Sequence, residues 1–296
     1  MTTNLHGVMA FLPTPFTADG DLDLAATESQ VDFLVAAGVS SVVVSGGVGE
    51  FYTLSRREHA DLVRAAVSVV AGRIPVVAGV GHSTAIAAGL GRQAAEAGAA
   101  AIMVNPLYFV RAELRGLVAH YRAIGAAAEL PLIVFSTDGA TYGPDELEAL
   151  AEVPEVAALK DEHGDLELFA GCRARLGDRY TWINGMAEPH AFEYAAAGAQ
   201  AMTSGLVNLA PELSLAIWDA ALRGDQPRFA GLMARAEPIL AMRRSRPGYH
   251  TTVLKEGMAI LGRTSPLVRL PLVALRTDER ETLRTLLADV PTAAVG

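Results

Sequence analysis

Eight short apolar runs recur along the 296 residues, and they restrict the possible folds more than any other feature. Each run is too short for a helix, and its apolar residues are too continuous for a strand with one solvent-exposed face. Each therefore predicts a parallel strand that is buried on both faces. The runs lie in VMAFLP near the N-terminus, VAAGVSSVVV (35–44), IPVVAGVG (74–81), AEAGAAAIMV (95–104), LPLIVF (130–135), EVAALK (155–160), YTWING (180–185) and AAAGAQAMTS (195–204).

Helix signals fill the segments between these runs. Three alanine-rich segments end at a glycine that an apolar run follows within a few residues. Gly38, Gly98 and Gly198 are therefore predicted to stop helices in the left-handed conformation. Ser55 and Glu58 have the S-x-x-E spacing of a capping box, which predicts that another helix begins there.

Alternating strands and helices over residues 1–222 predict an α/β fold of the (β/α)8 TIM-barrel class. A doubly wound open sheet has a similar periodicity, but eight evenly spaced repeats favour a closed barrel. Residues 223–296 contain PRFAGLMARAEPILAMRRS and TTVLKEGMAIL, which predict additional C-terminal helices packed on the barrel. No low-complexity linker separates the two parts, so we expect them to form one functional unit.

Charge and composition narrow the class of partner. The net charge of −9 and the isoelectric point near 5.3 argue against nucleic acid or an anionic membrane, because both favour a basic surface. A small-molecule partner is therefore expected. Cys172 is the only cysteine, and the N-terminus has neither an export signal nor a membrane span, so we expect a cytoplasmic protein. Nucleotide-binding glycine patterns and metal-ligand spacings are both missing, so neither a cofactor nor a metal is expected.

Lys160 ends the sixth apolar run, in VAALKDEHGD (156–165). The active site of a TIM barrel lies at the carboxyl ends of the strands, and Lys160 is the only lysine at a predicted strand end. Low-dielectric surroundings disfavour an ammonium ion, so the free amine would be available to attack a ketone and form a Schiff base. The alternative is a solvated lysine paired with Asp161 or Glu162.

Two motifs together resemble those of the dihydrodipicolinate synthase/N-acetylneuraminate lyase family. VVVSGGVGEFYTLSRRE (42–58) is similar to the G-x-x-G-E segment after that family's second strand, and VAALKDEHGD is similar to its Schiff-base lysine strand. The resemblance covers essentially the whole chain, from GVMAFLPTPFTADGDLD to LKEGMAILGRTSPLVRLPL. GGVGEFYTLS, LKDEHGDLE and MTSGLVNLAPEL are similar to segments of the 5-dehydro-4-deoxyglucarate dehydratase branch.

The resemblance implies roles for individual residues. Lys160 would form the imine, and the backbone N–H groups of the turn from Gly46 to Gly49 would hold the carboxylate of the substrate. Tyr108, in NPLYF, would reach into the site of a neighbouring subunit, which implies a homo-oligomer, a dimer or a tetramer; an ordinary surface aromatic is the alternative. The residues expected to bind substrate are Gly46, Gly47, Val48, Gly49, Phe135, Gly185, Thr203 and Ser204.

The sequence departs from the family pattern where protons are handled. The usual tyrosine at the end of strand five falls at Phe135, which cannot transfer a proton, and the loop positions that commonly carry hydroxyls are Gly47 and Val48. The arginine of dihydrodipicolinate synthases falls in STDGATYG, which contains none, so that synthase activity is not expected. Among the groups that remain, Ser136 is placed with Lys160 and Tyr108 in the catalytic set.

Four further candidates for moving protons are Tyr142, His163, Glu50 and an ordered water. His163 is favoured as a loop cap, and Glu50 as an acceptor of N–H groups from its own loop. His82 precedes a capping serine and is favoured as a structural residue.

These features predict a class I Schiff-base lyase that acts on an α-keto acid or a keto sugar acid. Dehydration is favoured, with or without decarboxylation. An iminium ion also permits cleavage of a C–C bond, so a pyruvate-dependent aldolase of the same family is an alternative. A sugar-acid-binding or regulatory protein that kept the barrel without turnover is the alternative from another class.

Overall fold

Eight parallel strands form the centre of the molecule. The computed structural model describes residues 4–107 and 110–288. The strands pair in chain order, and the last pairs with the first, which closes the barrel. They are β1 (Gly7–Phe11), β2 (Ser41–Val44), β3 (Val76–Val80), β4 (Ala101–Val104), β5 (Leu132–Ser136), β6 (Val156–Asp161), β7 (Thr181–Asn184) and β8 (Ala201–Ser204).

A helix follows every strand. These helices are α1 (Leu24–Ala37), α2 (Arg56–Val70), α3 (Thr84–Glu96), α4 (Leu114–Ala128), α5 (Pro144–Leu150), α6 (Leu166–Leu176), α7 (Ala191–Ala196) and α8 (Pro211–Leu222). The C-terminal segment adds α9 (Gln226–Arg244), α10 (Tyr249–Ile260) and α11 (Thr277–Ala288). The predicted (β/α)8 TIM barrel with additional C-terminal helices is confirmed.

Local signals in the sequence act as predicted. The three helix-stopping glycines have φ angles of 91°, 91° and 94° at Gly38, Gly98 and Gly198, where a side chain would be strained. The Ser55 hydroxyl accepts the N–H of Glu58, and the Glu58 carboxylate accepts the N–H of Ser55, which completes the capping box of α2. The glycines and the capping box thus mark where these helices end and begin.

Two apolar layers follow from the alternation of side chains along each strand. Residues that point outward form the layer between barrel and helices. Residues that point inward fill the barrel, and Phe135 and Val48 pack partly buried against this inner layer. The inner residues are Leu5, Met9, Phe11, Val43, Val77, Ala101, Met103, Ile133, Ala158, Ile183 and Ala201.

The C-terminal helices are joined to the same core. Ile239 of α9, Leu254 of α10 and Leu283 of α11 are fully buried in the outer apolar layer. The Arg269 guanidinium donates to the carbonyl oxygen of Gly20 at 2.7 Å, so the segment after α10 is held against a barrel loop. Within residues 4–107 and 110–288, no helix has the length and apolarity needed to cross a membrane.

Candidate active site

A cavity of about 240 Å³ lies at the carboxyl ends of the strands. Its lining comes from strand ends and their loops, and from α9 and α10. The lining residues are Phe11, Gly47, Val48, Phe135, Lys160, Glu162, Gly185, Ala187, Thr203, Ser204, Gly205, Arg243 and His250. Other cavities of about 230 Å³ beside α4 and about 750 Å³ near the amino ends of the strands do not contain Lys160.

Lys160 points into this cavity because of its place in β6. Ala158 belongs to the inner layer and Leu159 to the outer one, so alternation directs the next side chain inward. The register places Lys160 beside Phe135 of β5 and Ile183 of β7. Only 2% of the lysine is exposed to solvent.

The Lys160 amine is enclosed by two aromatic rings and one carboxylate. Its Nζ lies 3.3 Å from the centre of the Phe135 ring and 5.5 Å from that of Phe11, and it donates a hydrogen bond to Oε2 of Glu162. Burial lowers the pKa of Lys160, while the negative charges of Glu162 and Asp161 act in the opposite direction. Glu162 is one of the two partners expected for a solvated lysine, but the amine of Lys160 is buried and not solvated.

The loop after β2 presents free backbone donors to the cavity. Gly47 and Val48 line it, and within the described residues neither N–H has a hydrogen-bond acceptor. Ser45 and Glu50 flank the loop with φ angles of 54° and 53°, which is unusual for residues with side chains. Successive N–H groups in such a turn suit an anion, which supports the predicted carboxylate site.

Gly79 of β3 lies directly behind this loop. An added Cβ would stand 2.0 Å from the carbonyl oxygen of Ser45, a backbone atom that cannot move without the loop. We expect Gly79→Ala to lower the free energy of unfolding by about 1–3 kcal/mol, measured by urea denaturation. Gly116→Ala is the control, because nothing lies within 4 Å of its added Cβ. Equal stability of the two variants would contradict this packing.

The hydroxyls of Thr203 and Ser204 already have protein partners. Thr203 donates to the carbonyl oxygen of Gly185 at 3.2 Å, and Ser204 donates to Oε1 of Glu188, a fully buried carboxylate. Ser214 donates to the same carboxylate oxygen at 2.7 Å. The Ser204 hydroxyl also accepts the N–H of Val207 at 2.9 Å, so its hydrogen bonds stay within the protein, whereas the Thr203 hydroxyl can still accept one from a ligand.

Some predicted site residues do not reach the cavity. Ser136 follows Phe135 in a strand whose side chains alternate, and it does not line the cavity. Gly46 and Gly49 are buried beneath the loop whose middle residues line it. Tyr108 lies outside the described residues.

Two further candidates for proton transfer lie elsewhere. The Tyr142 hydroxyl is 3.0 Å from that of Tyr121, in the cavity beside α4, and burial raises its pKa. His163 Nδ1 is 3.0 Å from Oδ1 of the exposed Asp138, in keeping with a loop contact. Neither residue lines the cavity of Lys160.

Glu50 and His82 have structural contacts. The Glu50 carboxylate accepts from Nζ of Lys255 at 2.7 Å and from the backbone N–H of Arg269 at 2.8 Å. The expectation that Glu50 holds its own loop is therefore wrong, because its side chain turns toward the C-terminal segment. His82 stacks on Phe51 with ring centres 4.8 Å apart, as expected of a structural residue.

Several lining residues were not predicted from the sequence. Glu162 figured only as a partner of a solvated lysine, and Gly205 was read as part of a strand end without a role in binding. Arg243 and His250 come from α9 and α10, and no local pattern shows which helix covers the barrel mouth. Within the described residues, no group of three or more His, Cys, Asp or Glu side chains is placed to hold a metal ion.

Curated relatives match the chain over almost its whole length. A protein of Bradyrhizobium sp. (strain BTAi1) is 36% identical over 293 residues, covering 98% of this chain and 94% of its own. A protein of Pseudomonas entomophila is 33% identical, covering 95% of this chain and 94% of its own. Both are named probable 5-dehydro-4-deoxyglucarate dehydratase.

Solved structures share the fold and the length. Dihydrodipicolinate synthase from Bacillus clausii superposes with a TM-score of 0.89 at 30% identity, covering 95% of this chain and 96% of the other. The chloride-inhibited synthase from Acinetobacter baumannii, complexed with pyruvate, gives a TM-score of 0.87 at 29% identity, with 96% and 98% covered. Residues 4–290 match the model of the dihydrodipicolinate synthetase family. The chain therefore belongs to the dihydrodipicolinate synthetase family.

Proposed function

We propose that this protein is a class I Schiff-base lyase and that it dehydrates a keto sugar diacid. The buried amine of Lys160, hydrogen-bonded to Glu162 inside a small cavity, carries the proposal. The names of the relatives supply the substrate class: 5-dehydro-4-deoxyglucarate has six carbons, a carboxylate at each end, a ketone beside one carboxylate and a hydroxyl at the β position. Membership of a family of lyases supports the reaction class.

Glu162 is placed to move the protons of imine formation. It takes a proton from the Lys160 ammonium, and the free amine attacks the ketone to give a carbinolamine. Glu162 then returns the proton to the departing hydroxyl, which leaves as water. The product is an iminium ion that carries the positive charge the lysine had before.

The same carboxylate can serve the dehydration. The iminium acidifies the adjacent CH₂, and Glu162 takes one of its protons to leave an enamine. The enamine expels the β-hydroxyl, which receives that proton and departs as water. Hydrolysis of the resulting iminium releases the product and restores Lys160. The net change is the loss of one water molecule from the substrate.

Phe135 cannot carry a proton as a tyrosine would, but its ring can stabilise a positive charge on Lys160. Its ring face lies 3.3 Å from Nζ of Lys160, which suits any cation at that nitrogen. A cation–π contact in a desolvated site contributes about 2 kcal/mol. The ring therefore supports the ammonium and the iminium alike, while Glu162 moves the protons.

Borohydride trapping tests the imine. The chain has only two lysines, Lys160 and Lys255, so a reduced adduct is readily mapped by peptide mass spectrometry. We expect pyruvate and longer α-keto acids to label Lys160, and 5-dehydro-4-deoxyglucarate to lose water on incubation. Failure of every keto acid to label Lys160 would overturn the proposal. Tight binding without labelling would indicate a binding protein, and C–C bond formation from pyruvate would indicate an aldolase.

Glu162→Gln should separate the charge of this residue from its role as a base. Turnover should fall at least about a hundredfold, the usual contribution of general acid–base catalysis. Because the Glu162 charge raises the pKa of Lys160, its removal should move the rising limb of the labelling rate to lower pH. Asp138→Asn, which neutralises a 92% exposed carboxylate, is the control. A pH profile identical to that of the unmodified protein would contradict the assigned contact.

A further inference from the structure

Arg243 places a guanidinium in the cavity from outside the barrel. It stands in the last turn of α9 and is the only arginine among the described residues that line the cavity. Its Nε donates to the carbonyl oxygen of His250 at 3.2 Å, which fixes the plane of the group. Within residues 4–107 and 110–288 it forms no ion pair, so its terminal nitrogens remain available to a ligand.

A glycine makes room for this guanidinium. An added Cβ at Gly205 would lie 2.7 Å from a terminal nitrogen of Arg243 and 2.8 Å from Cδ1 of Leu254. The backbone φ of Gly205 is −92°, which any residue can adopt, so a larger residue here would act through space alone, by displacing the ends of the Arg243 and Leu254 side chains. The guanidinium thus lies directly against the backbone at the end of β8.

Among the residues that the structure describes, no carboxylate forms an ion pair with Arg243, although that of Glu188 lies nearby. Burial lowers the pKa of Arg243 and the charge of Glu188 raises it, and an arginine stays protonated under such influences. Oε1 of Glu188 accepts the hydroxyls of Ser204 and Ser214, and its carboxylate does not line the cavity. The charge of Glu188 thus stabilises the Arg243 cation from outside the cavity and does not occupy its hydrogen-bond donors.

We propose that Arg243 binds a second carboxylate of the substrate, at the end remote from the ketone, and thereby selects α-keto diacids over α-keto monoacids. A guanidinium matches a carboxylate with two parallel hydrogen bonds. The N–H groups of Gly47 and Val48 form a separate anion site on the loop after β2. The cavity thus has two anion sites and one amine. This inference rests on the proposed function, because it assumes that the ketone reacts at Lys160.

Matched keto acids test the inference. 2-Oxoglutarate and 2-oxopentanoate have five carbons and differ in the terminal group, carboxylate or methyl; 2-oxoadipate and 2-oxohexanoate are the six-carbon pair. The measurement is the concentration that gives half-maximal borohydride labelling of Lys160. For at least one chain length, we expect the diacid to need at least about tenfold less than its monoacid, as a charged hydrogen-bond pair predicts.

Arg243→Ala should abolish this preference while labelling by the monoacids continues. Arg244→Ala is the matched control, because this neighbour on α9 points to solvent and pairs with Glu237 at 2.5 Å, so the preference should persist. Arg243→Gln, which keeps most of the side-chain packing, serves if the alanine variant does not fold. Gly205→Ala should weaken the preference by displacing the guanidinium.

The outcomes separate the two proposals. Labelling of Lys160 with an unchanged diacid preference in Arg243→Ala would overturn the role of Arg243 and leave the imine intact. If no keto acid labels Lys160, the imine fails, and calorimetric titration with 2-oxoglutarate decides about Arg243. Binding that is at least about tenfold weaker in Arg243→Ala than in Arg244→Ala would support the anion site, and equal binding would overturn it.

Discussion

Replacing Lys160 by methionine should abolish turnover and borohydride labelling and leave the fold intact. Without an amine no imine forms, and we expect a loss of at least about a thousandfold, equivalent to about 4 kcal/mol in the barrier. Methionine matches the length of lysine and suits the neighbouring Phe11 and Phe135 rings. The partner left behind, Glu162, has 45% of its side chain exposed and can be hydrated. The urea midpoint should therefore change little.

Lys160→Arg separates the charge from the nucleophile. It keeps a cation beside Glu162 but cannot form an imine, so it should be as inactive as the methionine variant. The measurements are the turnover number and the mass of the reduced adduct. Turnover within about tenfold of the unmodified protein in either variant would show that Lys160 is not the reacting group.

The fold could be predicted because its signals are local. A short apolar run between helix caps fits a strand buried on both faces, and eight such runs at even spacing fit few architectures. The left-handed glycines, such as Gly38, and the Ser55 capping box depend on neighbours within a few residues. Nothing in these signals required knowledge of distant contacts.

The part of the site that lies on the strands was predictable for the same reason. Lys160, Phe135 and Thr203 stand at strand ends, and all three line the cavity. The direction of each side chain was harder to predict, because adjacent residues at the end of a strand point to opposite faces of the sheet. Ser136 shows this limit: it is adjacent to Phe135 and yet does not reach the cavity.

The contributions from α9 and α10 could not be predicted in this way. Arg243 is more than eighty residues from Lys160 in the chain, and its place depends on how the C-terminal helices pack on the barrel. The partner of Glu50 is still more remote in sequence, since Lys255 belongs to α10. Such contacts follow from tertiary packing. The apolar periodicity of a helix predicts which of its faces is buried, but not which element that face packs against.

Lys255→Met should destabilise the fold, whereas the same substitution at Lys160 should abolish turnover and change the stability little. Lys255 and Glu50 are both fully buried and paired at 2.7 Å, and the amine also lies 4.0 Å from the centre of the Phe16 ring. Burial lowers the pKa of Lys255 to about 8, so the amine is still protonated at neutral pH. Of the hydrogen bonds that the described residues make to the buried Glu50 carboxylate, removal of the amine leaves the one from the N–H of Arg269. We expect a loss of about 3–5 kcal/mol in the free energy of unfolding.

The double variant Glu50→Gln with Lys255→Met distinguishes a stranded charge from lost packing. Glutamine removes the charge and can still accept the N–H of Arg269, so the double variant should be more stable than Lys255→Met alone. Urea denaturation of both variants measures the difference. If the double variant is no more stable than the single one, packing of the lysine stem, and not the unpaired carboxylate, accounts for the loss.

Glu50 directly follows Gly49, so the ion pair between Glu50 and Lys255 also supports the loop after β2. Loss of this pair in Lys255→Met should therefore weaken the binding of α-keto acids at that loop, whereas Lys160→Met should leave the loop in place.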